Sequence, residues 1–353
     1  MRFIHSGDIH LGAMPDSGKA WAEGRDKEIW KTFGNLVEKV NEDDVDLLIL
    51  AGDLFHRQPL LRELKEVNSM FASLDRAKVV LIAGNHDCIR KGSYYRTFEW
   101  NENVYFIDSE DISKISIDEL NVDIYGLSYY SKDITEARYD NIVIENPDRI
   151  NILVAHGGDE KHIPVNRRKL ALSGFDYIAF GHIHIPEQDM EHKLAYCGSL
   201  EPIDINDVGE RGYLIGDVTK DSLDLSFVPF SKRVYKHISF KINPEVTNTS
   251  LSKKIKEVIK ENGANNMFKF TINGFKDPDV EFDFDEIETY GNIVKIVDNT
   301  EPDYDFEKLY TNNKDNMVGM FIKKFGPADE LDDVSKKALY RGTKALLNAM
   351  GER

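Results

Sequence analysis

An α/β fold with a second sheet packed on the first, followed by a small α+β module and terminal helices, is what this sequence predicts. Three features carry that expectation: unbroken apolar runs that stop at polar turns, amphipathic stretches between them, and a change of pattern past Ser231. Residues 45–51 and 79–83 are apolar runs ending in Gly-Asp or Gly-Asn, which reads as a buried strand stopping at a tight loop. Phe3-Ile4 before Ser6-Gly7-Asp8, residues 150–155 before His156, and residues 177–180 before Gly181-His182 repeat the pattern. Five strands thus deliver polar residues at their C-terminal ends, where open α/β sheets place ligands. Between the first strands, Ile29, Phe33, Leu36, Val37 and Val40 fall at helical spacing, and residues 63–74 carry Leu64, Val67, Met70 and Phe71 in the same way. Strand-like segments at 194–196, 212–218 and 223–228 are expected to extend the second sheet. Beyond them, 235–242 and 267–272 alternate as strands around a helix at 251–261. Residues 277–307 then hold twelve acidic side chains against the single Lys295. The chain ends in two predicted helices, 316–325 and 331–350. The expected division is 1–232 for the main domain, 233–300 for the module, and 301–353 for an acidic linker with the last helices.

The 353 residues leave room for one large core and a companion, since single cores rarely exceed roughly 250–300 residues. Apolar residues make up 41% and charged residues 30%, the balance of a soluble globular protein, and no apolar run approaches the ~20 residues of a membrane helix. Met1-Arg2-Phe3-Ile4 runs straight into a polar motif, unlike a signal peptide. Only Cys88 and Cys197 are present, too few for a disulfide framework, so a reducing cytoplasm is expected. The net charge of −17 argues against a free-standing basic-patch nucleic-acid binder. It leaves DNA open as a substrate, because divalent cations would bring positive charge to the place where phosphate sits.

The strand ends supply, in order, Asp8-Ile9-His10, Gly52-Asp53-Leu54-Phe55-His56, Gly84-Asn85-His86-Asp87, His156-Gly157 and Gly181-His182-Ile183-His184. Each alone is a weak signal. Together, each following a strand, they predict a metal centre. Two divalent ions ~3.5–4 Å apart need a carboxylate able to bridge them and several nitrogen and oxygen donors. Imidazole, carboxylate and amide oxygen suit manganese, iron or zinc better than calcium or magnesium. The Asp-x-His and His-x-His pairs are expected to project alternate side chains from extended backbone to one side.

At these residues the sequence resembles the calcineurin-like metallophosphoesterases, whose motifs D-x-H, G-D, G-N-H-[DE], H and G-H-x-H are all present. Gly181-His182-Ile183-His184-Ile185-Pro186 and Tyr196-Cys197-Gly198-Ser199-Leu200-Glu201-Pro202 further resemble the SbcD-type DNA-repair nucleases, strongly over about the first 230 residues. That resemblance implies a four-layer α/β/β/α sandwich of two mixed sheets and a capping, DNA-recognition role for the module. It implies two divalent metal ions, manganese first, with iron or zinc as alternatives. Asp8, His10 and His184 would hold one ion, Asn85, His156 and His182 the other, and Asp53 would bridge them. A metal-activated water would then hydrolyse DNA phosphodiesters as an exonuclease or endonuclease. His86 would face the phosphate or the leaving oxygen, Asp87 would accept its other N–H, and His56 would be a second phosphate-facing group. Partners implied are DNA, an SMC-like ATPase of the SbcC type, and a second copy of the chain. A small-molecule or phosphoprotein phosphoesterase, and a non-catalytic scaffold for the ATPase, stand as alternatives.

His5, His162, His192 and His237 have no motif context and read as surface or satisfied interior histidines. Tyr94-Tyr95-Arg96 reads either as a DNA contact or as loop packing, and Cys88 as a packed small residue. In the last helix, Ala338, Gly342, Ala345 and Ala349 form a small-residue stripe beside Leu339, Leu346 and Met350. That helix either caps its own domain or grips a partner.

Overall fold

Side chains that alternate between two hydrophobic layers build the core of this protein. The computed structural model describes residues 1–351. It divides into two compact units, Met1–Tyr235 and the chain from Lys236 onward. The first unit begins with β1 (Arg2–Ser6), α1 (Arg25–Glu42), β2 (Leu47–Ala51), α2 (Leu61–Ala72), β3 (Lys78–Ile82) and β4 (Val104–Ile107). It continues through β5 (Ser113–Ile117), β6 (Val122–Gly126), β7 (Ile150–His156), α3 (Arg167–Ala171) and β8 (Tyr177–Gly181). It closes with β9 (Glu187–Asp189), β10 (Leu194–Tyr196), β11 (Gly212–Val218) and β12 (Leu223–Pro229).

Two six-stranded mixed sheets result, in the orders β12-β11-β1-β2-β3-β4 and β5-β6-β7-β8-β10-β9. The strands β1 to β4 run parallel, as do β6, β7, β8 and β10. In β2, Leu47, Ile49 and Ala51 enter the layer between the sheets, where they join Ile152, Val154, Tyr177 and Ala179. The intervening Leu48 and Leu50 face α1 and α2, packing with Phe33, Val37, Leu64 and Phe71. Strands buried on both faces read as continuous apolar runs, which is why they were visible in the sequence. The second sheet turns Leu153, Ala155, Ile178 and Phe180 toward Leu170 of α3 and the irregular residues Ile134, Tyr139 and Ile142. The four layers are therefore present, with the outermost one mostly irregular chain around a five-residue helix.

One expectation is corrected. Residues 194–196 join the second sheet, parallel to β8, but β11 and β12 add to the first sheet, with β11 antiparallel to β1. Strand β1 presents a free edge opposite β2, and a hairpin of antiparallel strands satisfies its backbone groups.

The second unit contains β13 (Tyr235–Ile242, entered from the first unit), α4 (Asn248–Glu261), β14 (Met267–Lys276), α5 (Phe284–Ile287) and β15 (Ile293–Pro302). The helices α6 (Phe306–Asn312), α7 (Met317–Phe325) and α8 (Asp333–Met350) follow. Its sheet runs β13-β14-β15, covered by Leu251, Ile255 and Ile259 of α4. Leu339 of α8 is fully buried against Val318 and Ile322 of α7, and a Cβ on Gly342 would lie 2.2 Å from the Phe321 ring. The ridge of Leu339 and Leu346 thus packs within its own unit, while Ala338, Ala345 and Ala349 face outward. No helix among the described residues is long and apolar enough to cross a membrane.

Candidate metal centre

The five motif-bearing turns converge because β1, β2, β3, β7 and β8 end on the same side of the two sheets. Backbone bonds lock the first two turns: Asp8 N–H donates to Gly52 O at 3.1 Å, and His10 N–H to Asp53 O at 3.0 Å. The turns are tight. Asp8, His10, Asp53 and His182 all adopt left-handed backbone, with φ of 48°, 54°, 50° and 89°. Such conformations cost of order 1–3 kcal/mol each and persist where surrounding structure over-determines them. The extended Asp-x-His and His-x-His geometry expected from the sequence is thus replaced by bends, and each pair reaches the centre by different side-chain paths.

Asp8 and Asp53 each have one oxygen held by a backbone N–H, from His182 and His86 respectively, both at 2.8 Å. The other oxygen of each faces imidazole nitrogens. Asp8 Oδ1 lies 4.0 Å from His10 Nε2 and 3.9 Å from His184 Nε2, and those two nitrogens are 3.2 Å apart. Asp53 Oδ2 lies 3.9 Å from His10 Nε2 and 3.4 Å from His156 Nε2. Asn85 Oδ1 is 2.9 Å from His156 Nε2 and 3.2 Å from His182 Nδ1. All seven predicted ligands are therefore brought together, with Asp53 between the His10 and His156 sides.

The donor set fits divalent cations. Asp8 Oδ1 is buried and accepts no hydrogen bond, an arrangement costly for a lone carboxylate oxygen and natural for a metal ligand. His156 Nδ1–H donates to Ala51 O at 2.9 Å, which aims Nε2 at Asp53 and Asn85. Ligand atoms of Asp8, His10 and His184 lie within 4.8 Å of one another, and so do those of Asp8, Asp53 and His156.

The electrostatics agree. Burial pushes Asp8 up to about 6. Burial opposes ionisation of Asp53 too, but the charges of His156 and His10 outweigh it and hold Asp53 well below the usual carboxylate range. Burial would lower His156, yet the charge of Asp53 and its hydrogen bond raise it to about 9. Burial, with His156 beside it, lowers His182 to about 4.

The predicted catalytic residues separate. His86 Nδ1–H donates to the His56 carbonyl at 3.1 Å, and the His56 and His86 rings stack with centroids 5.0 Å apart. His56 Nδ1 lies 3.3 Å from His10 Nδ1, so both histidines adjoin the ligands. Asp87 does not serve His86. Its carboxylate is fully buried and accepts from Gly84 N–H at 2.8 Å, Phe55 N–H at 3.2 Å and the Tyr95 hydroxyl at 2.9 Å. It braces the turns from behind, and the His56 carbonyl takes the place expected for it. Tyr95 is thereby loop packing, while Tyr94 is exposed. Cys88 is packed in the second sheet's outer layer, and His5 is buried with Nδ1 2.7 Å from the Tyr177 hydroxyl.

Sequence reasoning missed two residues beside the candidate ligands. Asp159 Oδ2 is 2.8 Å from His182 Nε2, and Asp207 Oδ1 is 3.1 Å from His184 Nδ1. His162, read as lacking context, has its ring 4.3 Å from that of His182. Asp159 follows His156-Gly157-Gly158 closely enough to invite inspection, whereas nothing in the sequence ties Asp207 to a motif.

A two-sheet α/β sandwich with carboxylate, amide and imidazole donors gathered at its strand ends defines a metal-dependent phosphoesterase. The calcineurin-like phosphoesterase model matches residues 1–186, and the chain belongs to that family, whose members use divalent metal ions to hydrolyse phosphoester bonds. The chain is 29% identical over 243 residues to the DNA double-strand break repair protein Mre11 of Methanocaldococcus jannaschii, covering 64% of this chain and 65% of that protein. It is 30% identical over 254 residues to the uncharacterized metallophosphoesterase YhaO of Bacillus subtilis, covering 64% of this chain and 60% of that protein. The chain thus matches less than two thirds of the length of these relatives. A solved structure from Thermus thermophilus overlays 64% of this chain with a TM-score of 0.40 at 9% identity, covering 98% of that chain.

Proposed function

We propose that this protein is the nuclease subunit of an SbcCD-like DNA-repair complex, cutting DNA phosphodiesters with two divalent metal ions, manganese foremost. The observation that carries the chemistry is the gathering of Asp8, His10, Asp53, Asn85, His156, His182 and His184 around two buried carboxylates. DNA as substrate is supported by the likeness to a relative named for double-strand break repair. Asp8, His10 and His184 would hold one cation, Asn85, His156 and His182 the other, with Asp53 shared. When bound, the pair neutralises phosphate charge and brings a water's pKa into the neutral range. His86 uses Nδ1–H on the His56 carbonyl, and in its imidazolium form, protonated on both nitrogens, it would give the Nε2 proton to the departing 3′ oxygen and return to the neutral ring. His56, stacked on His86, is a second group for the phosphate.

In this reading the protein works in the cytoplasm as a homodimer, the module of the second unit recognises DNA, and an SMC-like ATPase docks on the terminal helices. Because Leu339 faces inward, docking would use the outer face, where Met317, Met320 and Val334 are exposed. The test is manganese-dependent hydrolysis by the purified protein, assayed on linear duplex DNA beside a small phosphodiester and a phosphomonoester. Degradation of DNA is expected. Efficient turnover of the small esters with DNA left intact would establish the small-molecule alternative.

A further inference from the structure

The two histidines of the Gly181-His182-Ile183-His184 turn present opposite ring nitrogens to the centre. His182 directs Nδ1 at Asn85 Oδ1, at 3.2 Å, while His184 directs Nε2 at His10 and Asp8. A neutral imidazole offers a lone pair on only one nitrogen, and which one depends on where the other finds an acceptor for its proton. For each histidine that outer acceptor is a carboxylate lying outside the predicted ligand set. Asp159 Oδ2 stands 2.8 Å from His182 Nε2. The Asp207 oxygens stand 3.1 and 3.2 Å from His184 Nδ1.

We propose that Asp159 and Asp207 are positioning residues that select opposite tautomers of His182 and His184, each controlling the affinity of a different metal site. With the proton held on Nε2 by Asp159, His182 has its lone pair on Nδ1, toward Asn85. With the proton held on Nδ1 by Asp207, His184 has its lone pair on Nε2, toward Asp8. Without these carboxylates both rings are free to adopt the other tautomer or to rotate, and the left-handed turn at His182 supplies no restraint on the rings themselves. His156 needs no such side chain because the Ala51 carbonyl does the same work.

The two carboxylates are held to different degrees. Asp207 is buried and accepts N–H groups from Ile203 at 2.9 Å and Asp204 at 3.0 Å. The buried Arg211 guanidinium donates to the carbonyls of Val208 and Glu210 and fixes the turn that follows. Asp159 has a side chain 45% exposed, and it is steadied by N–H groups of Lys161 and His162 at 2.8 and 3.0 Å and by the His162 ring at 2.9 Å. Water is able to replace an exposed acceptor and is excluded from a buried one. Loss of Asp207 is therefore the more damaging of the two.

The inference rests on the metal-centre reading and is independent of whether the substrate is DNA. Its test is manganese titration of the chelator-stripped full chain, followed by calorimetry and by the electron paramagnetic resonance of free manganese. Wild type, Asp159→Ala, Asp159→Asn, Asp207→Ala, Asp207→Asn and His162→Ala are compared. Asp159→Ala and Asp207→Ala are each expected to weaken one of two sites by roughly 10–100-fold, the range for removing an outer partner of a ligand histidine, with Asp207→Ala toward the upper end. The asparagine variants, which keep an oxygen to accept the N–H, are expected to recover part of the loss. His162→Ala is expected to bind two ions like wild type. Melting of the metal-free variants separates positioning from folding: unchanged melting with weakened binding is the expected signature. If Asp207→Ala fails to fold, Asp207→Asn and the exposed Asp159 carry the test. Folded Asp159 and Asp207 variants with wild-type affinity at both sites would overturn the proposal. So would a third ion in wild type that disappears in His162→Ala, since Asp159, His162 and His182 would then be ligands themselves. A wild type that takes up no pair of ions would instead remove the metal-centre reading.

Discussion

The two units of the chain handle backbone strain in opposite ways. All nine non-glycine residues with left-handed backbone among the described residues lie in the first unit, and four of them, Asp8, His10, Asp53 and His182, line the candidate centre. In the second unit only glycines, at 263, 274, 326 and 351, take that conformation. The difference teaches where each unit's stability is spent. The first unit has two sheets buried on both faces, whose packing over-determines the strand ends, so it can hold polar residues in unfavourable turns. The second unit is regular. Its helices start at side-chain caps, such as Thr247 for α4 and Asp332 for α8, and its strands alternate between buried and exposed residues.

The largest effect expected from this contrast is at the most constrained carboxylate. Asp53→Asn should reduce hydrolysis to background and weaken at least one metal site, while leaving the melting of the second unit unchanged. Manganese-dependent turnover by a folded Asp53→Asn protein would show that Asp53 is not shared between two ions. Next comes His86, which adjoins the candidate ligands and is proposed to act beside them. His86→Ala should keep two ions by elemental analysis and lose roughly 10²–10⁴-fold in rate, the usual yield of general acid–base catalysis. Loss of an ion in that variant would make His86 a ligand.

How much of this was legible follows from the same contrast. Strands β2, β3, β7 and β8 were visible because residues buried on both faces form unbroken apolar runs, and the candidate ligands were visible because they sit just past those runs. The strands β4, β5 and β6 were not. They are four or five residues long, and Lys114, Ser116 and Asp123 interrupt the apolar pattern, since Lys114 finds a buried partner in Asp123. Strand β15 was hidden within an acidic stretch, where Asp298 is exposed and Glu301 half-buried in a parallel pairing with β14. The placement of β11 and β12 depends on a free sheet edge, which local sequence does not encode. Asp207 was illegible for a related reason: it meets His184 only once the 203–211 turn is folded, and no spacing rule links the two.

Acid separates the units next. His5 is enclosed between the two sheets of the first unit, and burial lowers it from the usual 6.5 to about 3. Its folded-state value lies below its unfolded one, so the unfolded chain binds the extra proton between those limits. The contribution of neutral His5 to stability is fully present above about 6.5 and is lost progressively as the pH falls toward 3. Denaturant midpoints followed across that window should fall more steeply in wild type than in His5→Gln, which keeps an oxygen for the Tyr177 hydroxyl but does not titrate. Equal slopes would mean that His5 is not the group taking up the proton.

The smallest effect is confined to the second unit. Gly319 lies inside α7, where alanine would ordinarily add about 1 kcal/mol of helix stability over glycine. Here a Cβ would lie 2.0 Å from the Asn313 carbonyl oxygen and 2.6 Å from its carbon. That carbonyl is backbone and already accepts the Asn316 N–H at 3.1 Å in the turn between α6 and α7, so it has little freedom to withdraw. Overpacking of this kind costs typically 1–3 kcal/mol, which outweighs the propensity gain and sets the sign. Gly319→Ala should therefore lower the melting of the second unit by an amount corresponding to about 1–2 kcal/mol, with hydrolysis of a small phosphodiester by the first unit unchanged. Scanning calorimetry and the diester assay on the same preparation give both readings. A parallel fall in activity would break the comparison, because the strained centre would then depend on the regular unit for its stability.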